Sequence, residues 1–217
     1  SCIVLYSYVG IDLAWKSGAI VVLDQDWKIK QIIIPHFSIY PRKYVWNELD
    51  NKLPLLVHWK TAIEEIPNSS LRQTTYYVEL MENNKLFNYI AGYVSGVIAH
   101  HDNSPFTKLE LISPNKWNRE LIWGRKAQRE QIKEASLNFF KTNEPSWYER
   151  YKDHKNLSDI ADAYCIAYFG IKNTLRKKVY ENQERDRKPN KNNRNKNTFK
   201  ETKQRPTRQV KRIQRNS

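Results

Sequence analysis

The chain has 217 residues, which is enough for one sizeable hydrophobic core with or without a tail. Its two cysteines cannot form a disulfide framework, and no apolar run reaches the ~20 residues that cross a bilayer. We therefore expect neither a membrane-spanning nor a disulfide-stabilised protein. The formal net charge is +14, of which residues 177–217 carry +11, with 15 Lys and Arg against 4 Asp and Glu. The first 176 residues thus carry only 14 − 11 = +3.

The spacing of apolar residues predicts an α/β fold. In chain order it predicts strands over 3–12, 19–24 and 28–34, a helix over 44–66 that Pro54 kinks or splits, a strand over 74–80, a helix over 85–100, a strand over 106–112, and helices over 125–140 and 157–175. A meander followed by β-α-β crossovers gives a mixed five-stranded sheet with helices on its faces. Beyond about residue 180 the apolar pattern fails. We therefore predict a folded domain over 1–176 and a basic disordered tail over 177–217.

Two acidic residues lie within predicted strands. Asp12 ends the first strand, where it is either functional or a turn-forming residue. Glu79 lies among Tyr, Val, Leu and Met, and a period of two places it on one strand face with Tyr77 and Met81. A carboxylate in such a run is costly to bury unless it is paired or binds a cation. Glu79 is therefore the stronger candidate for a functional residue.

Two more acidic residues, Asp159 and Asp162, are three positions apart and share a face of the last predicted helix. Asn156 can cap that helix, so both acids can also be explained as complements to the helix dipole. That explanation suits Asp159 better than Asp162. Four hard oxygen donors suit Mg²⁺ or Mn²⁺, and a pair of such ions can clamp both oxygens of a phosphodiester under hydrolysis. The five histidines have no zinc-site spacing.

The order of these acids resembles a known family. The pattern Gly-Ile-Asp at Asp12, a strand Glu at Glu79, and Asp-x-x-Asp-Ala from Asp159 is similar to that of the RuvC Holliday junction resolvases, which belong to the RNase H-like superfamily. Further similarity lies in the Gly-containing helix segment 91–98, the segment Ile112–Trp117 and the segment 124–132. The resemblance covers about residues 3–172. It implies an RNase H-like sheet and a Mg²⁺- or Mn²⁺-dependent endonuclease, with two ions, that resolves four-way or branched DNA junctions.

The resemblance also assigns roles to residues. It makes Asp12, Glu79, Asp159 and Asp162 the metal ligands and catalytic acids, and it places Arg129 where the family often has a Lys near the scissile phosphate. Lys126, Arg129 and Lys133 share one helical face that would contact DNA phosphates, although an ordinary solvated face would show the same spacing. Symmetric junction cleavage implies a homodimer. The helix with Gly92 and Gly96 is the expected contact, unless those glycines instead allow close packing on the sheet.

Some residues depart from the family pattern. Leu13 and Ala14 replace its usual Pro-Gly, the loop after Gly124 is richer in charge, and the basic tail is additional. These departures indicate a divergent viral, phage or organellar member. We expect it in the cytoplasm or another DNA-containing compartment, because the start of the chain lacks signal-peptide features. Two alternatives remain: another RNase H-like nuclease, acting on RNA–DNA hybrids or in DNA packaging, and a non-catalytic nucleic-acid-binding protein.

Overall fold

The computed structural model describes residues 4–36, 53–68, 71–81, 83–122 and 127–187. Five strands and six helices lie in these ranges. The strands are β1 (Leu5–Leu13), β2 (Gly18–Leu23), β3 (Ile29–Ile33), β4 (Arg72–Glu79) and β5 (Lys108–Ile112). The helices are α1 (Leu53–Glu64), α2 (Lys85–His101), α3 (Pro114–Leu121), α4 (Arg129–Asn143), α5 (Pro145–Tyr151) and α6 (Leu157–Arg187).

The strands form one five-stranded sheet in the order β3-β2-β1-β4-β5. β1 pairs antiparallel with β2, and β2 with β3, whereas β4 runs parallel to both β1 and β5. The short turns after β1 and β2 produce the antiparallel pairs, and crossovers through α1 and α2 produce the parallel ones. The predicted fold class, an α/β fold with a mixed five-stranded sheet flanked by helices, is confirmed.

Each face of the sheet packs against its own set of helices. Val9 and Ile11 of β1 and Val78 of β4 share a buried cluster with side chains of α1 and α2. Tyr77 of β4 belongs to a second cluster, which includes residues of α4 and the apolar face of α6. Because side chains alternate along a strand, Asp12 and Glu79 lie on the α6 side of the sheet.

Gly10 allows α6 to lie close to β1. A Cβ atom at this position would meet the backbone oxygen of Ala163 and come within 2.8 Å of the Ala167 Cβ atom. Only a residue without a side chain fits between strand and helix at that spacing. The close approach holds the beginning of α6, and therefore its two acids, over the end of β1.

Some predicted elements differ from those observed. α3 was not predicted, because Pro114 suggested only the end of a strand, whereas Pro here begins a helix. α5 likewise begins at a proline and was missed. α6 ends at Arg187, twelve residues after its predicted end. The prediction ended too early because the exposed last turns of the helix carry no apolar period. Pro54 lies in the first turn of α1, while residues 44–52 of that predicted helix and 188–217 of the predicted tail lie outside the described residues.

The contacts divide the chain into two units, Ser1–Lys177 and Lys178–Ser217. The first contains the sheet and both buried clusters. Across the described ranges, the structure contains no helix with the length and apolar character needed to span a membrane.

Substitution of Gly10 by Ala tests the close approach of α6. We expect Gly10→Ala to lower the free energy of unfolding by ~1–3 kcal/mol, the usual cost of overpacking. Asn138→Ala is the matched control, because Asn138 is exposed on α4; this helical substitution should stabilise by up to ~0.7 kcal/mol. Urea unfolding of both variants measures the two effects. Equal effects of the two substitutions would contradict this packing.

Candidate active site

Three elements bring four carboxylates to one edge of the sheet. Ile11 of β1 pairs with Val78 of parallel β4, so the next residues, Asp12 and Glu79, stand side by side at the ends of adjacent strands. α6 lies over this edge, and Asp159 and Asp162 belong to its first two turns. The charges of Glu79, Asp159 and Asp162 all act on Asp12. The structure thus brings the four predicted acids into one neighbourhood, although their role as metal ligands remains a prediction.

Burial and mutual repulsion make ionisation of these acids costly. Desolvation raises the pKa of Asp12 well above its usual range, and the negative charges of Asp162, Glu79 and Asp159 raise it further. Desolvation also raises the pKa of Glu79 to about 7 and that of Asp162 to about 6. Neighbouring carboxylates with perturbed pKa values are typical of functional sites.

Glu79 is held by a tryptophan that the sequence did not single out as functional. The indole Nε1 of buried Trp117, on α3, donates a hydrogen bond to Glu79 Oε2 at 3.0 Å. This bond partly offsets the desolvation of Glu79 and lowers the pKa of the carboxyl. It also directs one carboxylate oxygen towards α3 and fixes the side chain over the sheet.

Asp162 is held in a similar way from α4. The hydroxyl of Ser136, which is fully buried, donates to Asp162 Oδ1 at 2.7 Å. This bond lowers the pKa of Asp162, as do the positive charges of Lys133 and Arg129. Arg129, Lys133 and Ser136 are spaced by four and three residues and therefore share one face of α4.

Asp159 accepts hydrogen bonds from the first residue of β2 and from the loop before α6. The backbone N–H of Gly18 donates to Asp159 Oδ2 at 3.3 Å, and Asn156 Nδ2 donates to the same oxygen at 3.0 Å. Gly18 has φ +127°, a backbone conformation that favours glycine. These contacts tie the beginning of α6 to the β1–β2 hairpin.

The predicted basic residues are placed only in part. Arg129 and Lys133 are exposed on α4, and both act electrostatically on Asp162. Lys133 also lowers the pKa of Asp12. Lys126 lies outside the described residues. This face of α4 is therefore adjacent to the acids, while contact with DNA remains a prediction.

The chemistry of the donor set fits a divalent cation, because it supplies up to eight hard carboxylate oxygens in a partly buried, anionic neighbourhood. The side-chain positions do not form a finished coordination shell. Across the described parts of the chain, no group of three or more His, Cys, Asp or Glu side chains is arranged to hold a metal ion. The hydrogen bonds explain this arrangement: Glu79, Asp159 and Asp162 are each directed towards protein donors on different elements.

Sequence reasoning found the acids but missed the groups that hold them. Trp117 was noticed only within a similar segment, and Ser136 was not noticed at all. Their hydrogen bonds depend on how α3 and α4 pack over the sheet, which no local pattern encodes. Asn156 was expected to cap α6, and its side chain instead bonds Asp159. No local signal in the sequence marked Ser136, because it shares a face of α4 with Arg129 and Lys133.

Comparisons with known proteins identify similarity in structure alone. No protein-family model and no curated protein sequence matches this chain. A structure described as Thermus thermophilus RuvC in complex with a Holliday junction substrate is similar at a TM-score of 0.45 and 14% identity, covering 75% of this chain and 91% of that one. A second Thermus thermophilus RuvC structure gives a TM-score of 0.42 and 14% identity, covering 76% and 95%. At these scores, activity has to be argued from the chain's own residues.

The raised pKa of Glu79 predicts pH-dependent stability. Since the folded-state pKa of about 7 lies above the ordinary value of 4.5, the folded protein binds more protons than the unfolded chain between these values. Glu79 therefore lowers stability as pH rises from about 4.5 to about 7. In EDTA, Glu79→Gln should raise the Tm relative to wild type more at pH 8 than at pH 5.

Thermal unfolding followed by circular dichroism at the two pH values measures this difference. Glu134→Gln, which removes an exposed carboxylate from α4, is the matched control. If Glu79→Gln changed the Tm equally at both pH values, the carboxyl of Glu79 would not be buried against neighbouring negative charge.

Proposed function

We propose that this chain is a divalent-metal-dependent endonuclease that cuts branched DNA, with four-way junctions as its preferred substrate. The observation that carries the proposal is the convergence of Asp12, Glu79, Asp159 and Asp162 from three elements on one edge of the sheet. A protein that only bound nucleic acid would be weakened by this cluster, because carboxylates repel phosphate unless a cation intervenes. The sequence resemblance to RuvC resolvases supports the same conclusion independently of the geometry.

In this proposal the four carboxylates would hold Mg²⁺ or Mn²⁺, which supplies charge stabilisation and an activated water for phosphodiester hydrolysis. Trp117 and Ser136 position Glu79 and Asp162 through the hydrogen bonds described above. Arg129 and Lys133, exposed beside Asp162, would neutralise charge on the scissile phosphate or hold the flanking strand. The site therefore consists of acids held by neutral hydrogen-bond donors, with the exposed basic side chains of Arg129 and Lys133 beside them.

The basic end of the chain supports a nucleic-acid substrate. Residues 188–217 contain eleven Lys and Arg and one Glu. Such a segment would add affinity through counterion release, in which each neutralised phosphate steepens the dependence of log K on log salt by roughly 0.9. Because phosphate contacts carry little information on shape, we assign recognition of the branch to residues 1–176 and non-specific affinity to residues 177–217.

We also propose a homodimer, since symmetric cleavage of a four-way junction requires two active sites. Of the two explanations for Gly92 and Gly96, close packing on the sheet is wrong. Both glycines lie on the exposed face of α2, and a Cβ atom at either would meet nothing within 4 Å. The exposed glycines are consistent with a contact between two copies on this face.

Cleavage of synthetic substrates tests the proposed function. With Mg²⁺, wild-type protein should cut a four-way junction in preference to linear duplex and to an RNA–DNA hybrid. Asp12→Asn and Glu79→Gln should each lower the cleavage rate by at least ~10²-fold, the scale of a lost electrostatic group in catalysis. DNA binding should survive or tighten, because a negative charge near phosphate is removed. Glu134→Gln should cut normally.

The outcomes separate the alternatives. Preference for the hybrid would identify a different RNase H-like nuclease. Binding without cutting by the wild-type protein, in either Mg²⁺ or Mn²⁺, would indicate a non-catalytic nucleic-acid-binding protein. Near-normal cutting by Glu79→Gln would contradict the assignment of the acidic cluster as the active site.

A further inference from the structure

A pocket of ≈370 Å³ lies beside the acidic cluster, a volume within the ~300–1,000 Å³ of typical small-ligand sites. Asn156 belongs to both. It lines the pocket, and its Nδ2 donates to Asp159 Oδ2 at 3.0 Å. The pocket is therefore adjacent to the candidate active site, with the buried side chain of Asn156 between them.

The pocket combines basic and apolar walls. Lys16 and Lys155 contribute positive charge, His36 and His154 lie with them, and Glu65 is the acidic residue among the lining groups. Positive charge next to four carboxylates is suited to an anionic group that approaches the acids from one side.

The apolar part of the lining comes from the end of β3 and the residues after it. Ile34 and Pro35 belong to it, with Tyr151 of α5 nearby. The phenol ring of Tyr151 is fixed between Trp147, stacked at a centroid distance of 6.3 Å, and the edge of His154 at 5.7 Å. A lining that contains both apolar side chains and two lysines suits a ligand with a charged end and a flat or aliphatic body.

A buried polar atom of the pocket lacks a partner. Asn156 is 5% exposed, and its Oδ1 has no hydrogen-bond partner in the described part of the chain. Its Nδ2 is engaged by Asp159 and Gly18, which fixes the orientation of the amide. An unsatisfied buried acceptor costs free energy, so a donor from a bound molecule would be stabilising.

We propose that this pocket binds one nucleotide of the cleaved DNA strand, adjacent to the scissile phosphate. Its phosphate lies towards Lys16 and Lys155, and its sugar and base lie against Ile34 and Pro35. The inference rests on the proposed function, because it is the nuclease site that gives the strand its position. It assigns to the β3 end and the loop before α6 a role in placing the strand that the acids cut.

The test couples one charge on the protein to one charge on the DNA. A set of four-way junctions carries a single methylphosphonate, which removes one phosphate charge, at successive positions on either side of the cut. Fluorescence anisotropy measures the Kd of full-length wild type, Lys155→Ala and Lys152→Ala, with Ca²⁺ in place of Mg²⁺. Lys152 is the matched control: it is exposed, pairs with Glu149 at 2.8 Å and is not among the pocket's lining residues.

At one position the methylphosphonate should weaken wild-type binding about two- to fivefold, the range of an exposed ion pair. In Lys155→Ala the same methylphosphonate should cost less than in wild type, because only Lys16 remains near the phosphate, whereas Lys152→Ala should show the full loss. Equal losses in wild type and Lys155→Ala at every position would overturn the proposal.

A second arm tests the base. An abasic residue at the same position should weaken binding of the wild type but not of Ile34→Trp, whose larger side chain occupies the pocket. Equal losses in both would exclude a base at this wall. Because Ile34→Trp changes a partly buried residue, circular dichroism checks that the variant is folded. If the variant is unfolded, the Lys155→Ala measurements alone test the proposal.

Binding and cutting separate the two proposals. Coupling at Lys155 without cleavage in Mg²⁺ or Mn²⁺ would support nucleotide binding by the pocket, but would contradict both the nuclease and the placement of that nucleotide beside a cut. Cleavage without coupling would support the nuclease and overturn the pocket. Failure of the wild type to bind any junction would overturn both.

Discussion

The structure depends on the burial of like charges at one edge of a sheet. Asp12, Glu79 and Asp162 share an environment in which desolvation and mutual repulsion favour their protonated forms. Nothing in the folding of a stable domain requires such a cluster, and apolar residues of similar size would be less costly there. Its persistence within an otherwise apolar core is best explained by a ligand of opposite charge.

The fold holds this arrangement together with short-range packing and neutral hydrogen bonds. Gly10 lets α6 approach β1 closely, and this approach places Asp159 and Asp162 over the strand ends. Trp117 and Ser136 then satisfy one oxygen each of Glu79 and Asp162 without cancelling the charge. Because both donors are neutral, they do not cancel the negative charge of the ionised acids. The basic side chains of Arg129 and Lys133 lie outside the cluster, on the exposed face of α4.

Much of this was predictable from local pattern. The alternation predicts that Tyr77, Glu79 and Met81 share one strand face, and the three-residue spacing predicts that Asp159 and Asp162 share one helix face. The sheet followed from the order of apolar runs. The partners of the acids were not predictable, because Trp117 reaches Glu79 across 38 residues and Ser136 reaches Asp162 across 26. Such contacts arise from tertiary packing, which secondary-structure propensity and the period of apolar residues do not predict.

The central claim, that the four acids hold catalytic metal, is tested most directly by locating an ion. Crystals of the full-length protein soaked in Mn²⁺ would be measured for anomalous scattering at a wavelength where manganese contributes. The account predicts manganese bounded by Asp12, Glu79 and the acids of α6, with loss of that signal in crystals of Glu79→Gln. Manganese bound only elsewhere would contradict this claim. So would the absence of bound manganese in crystals where the acids still accept hydrogen bonds from Trp117, Ser136 and Asn156.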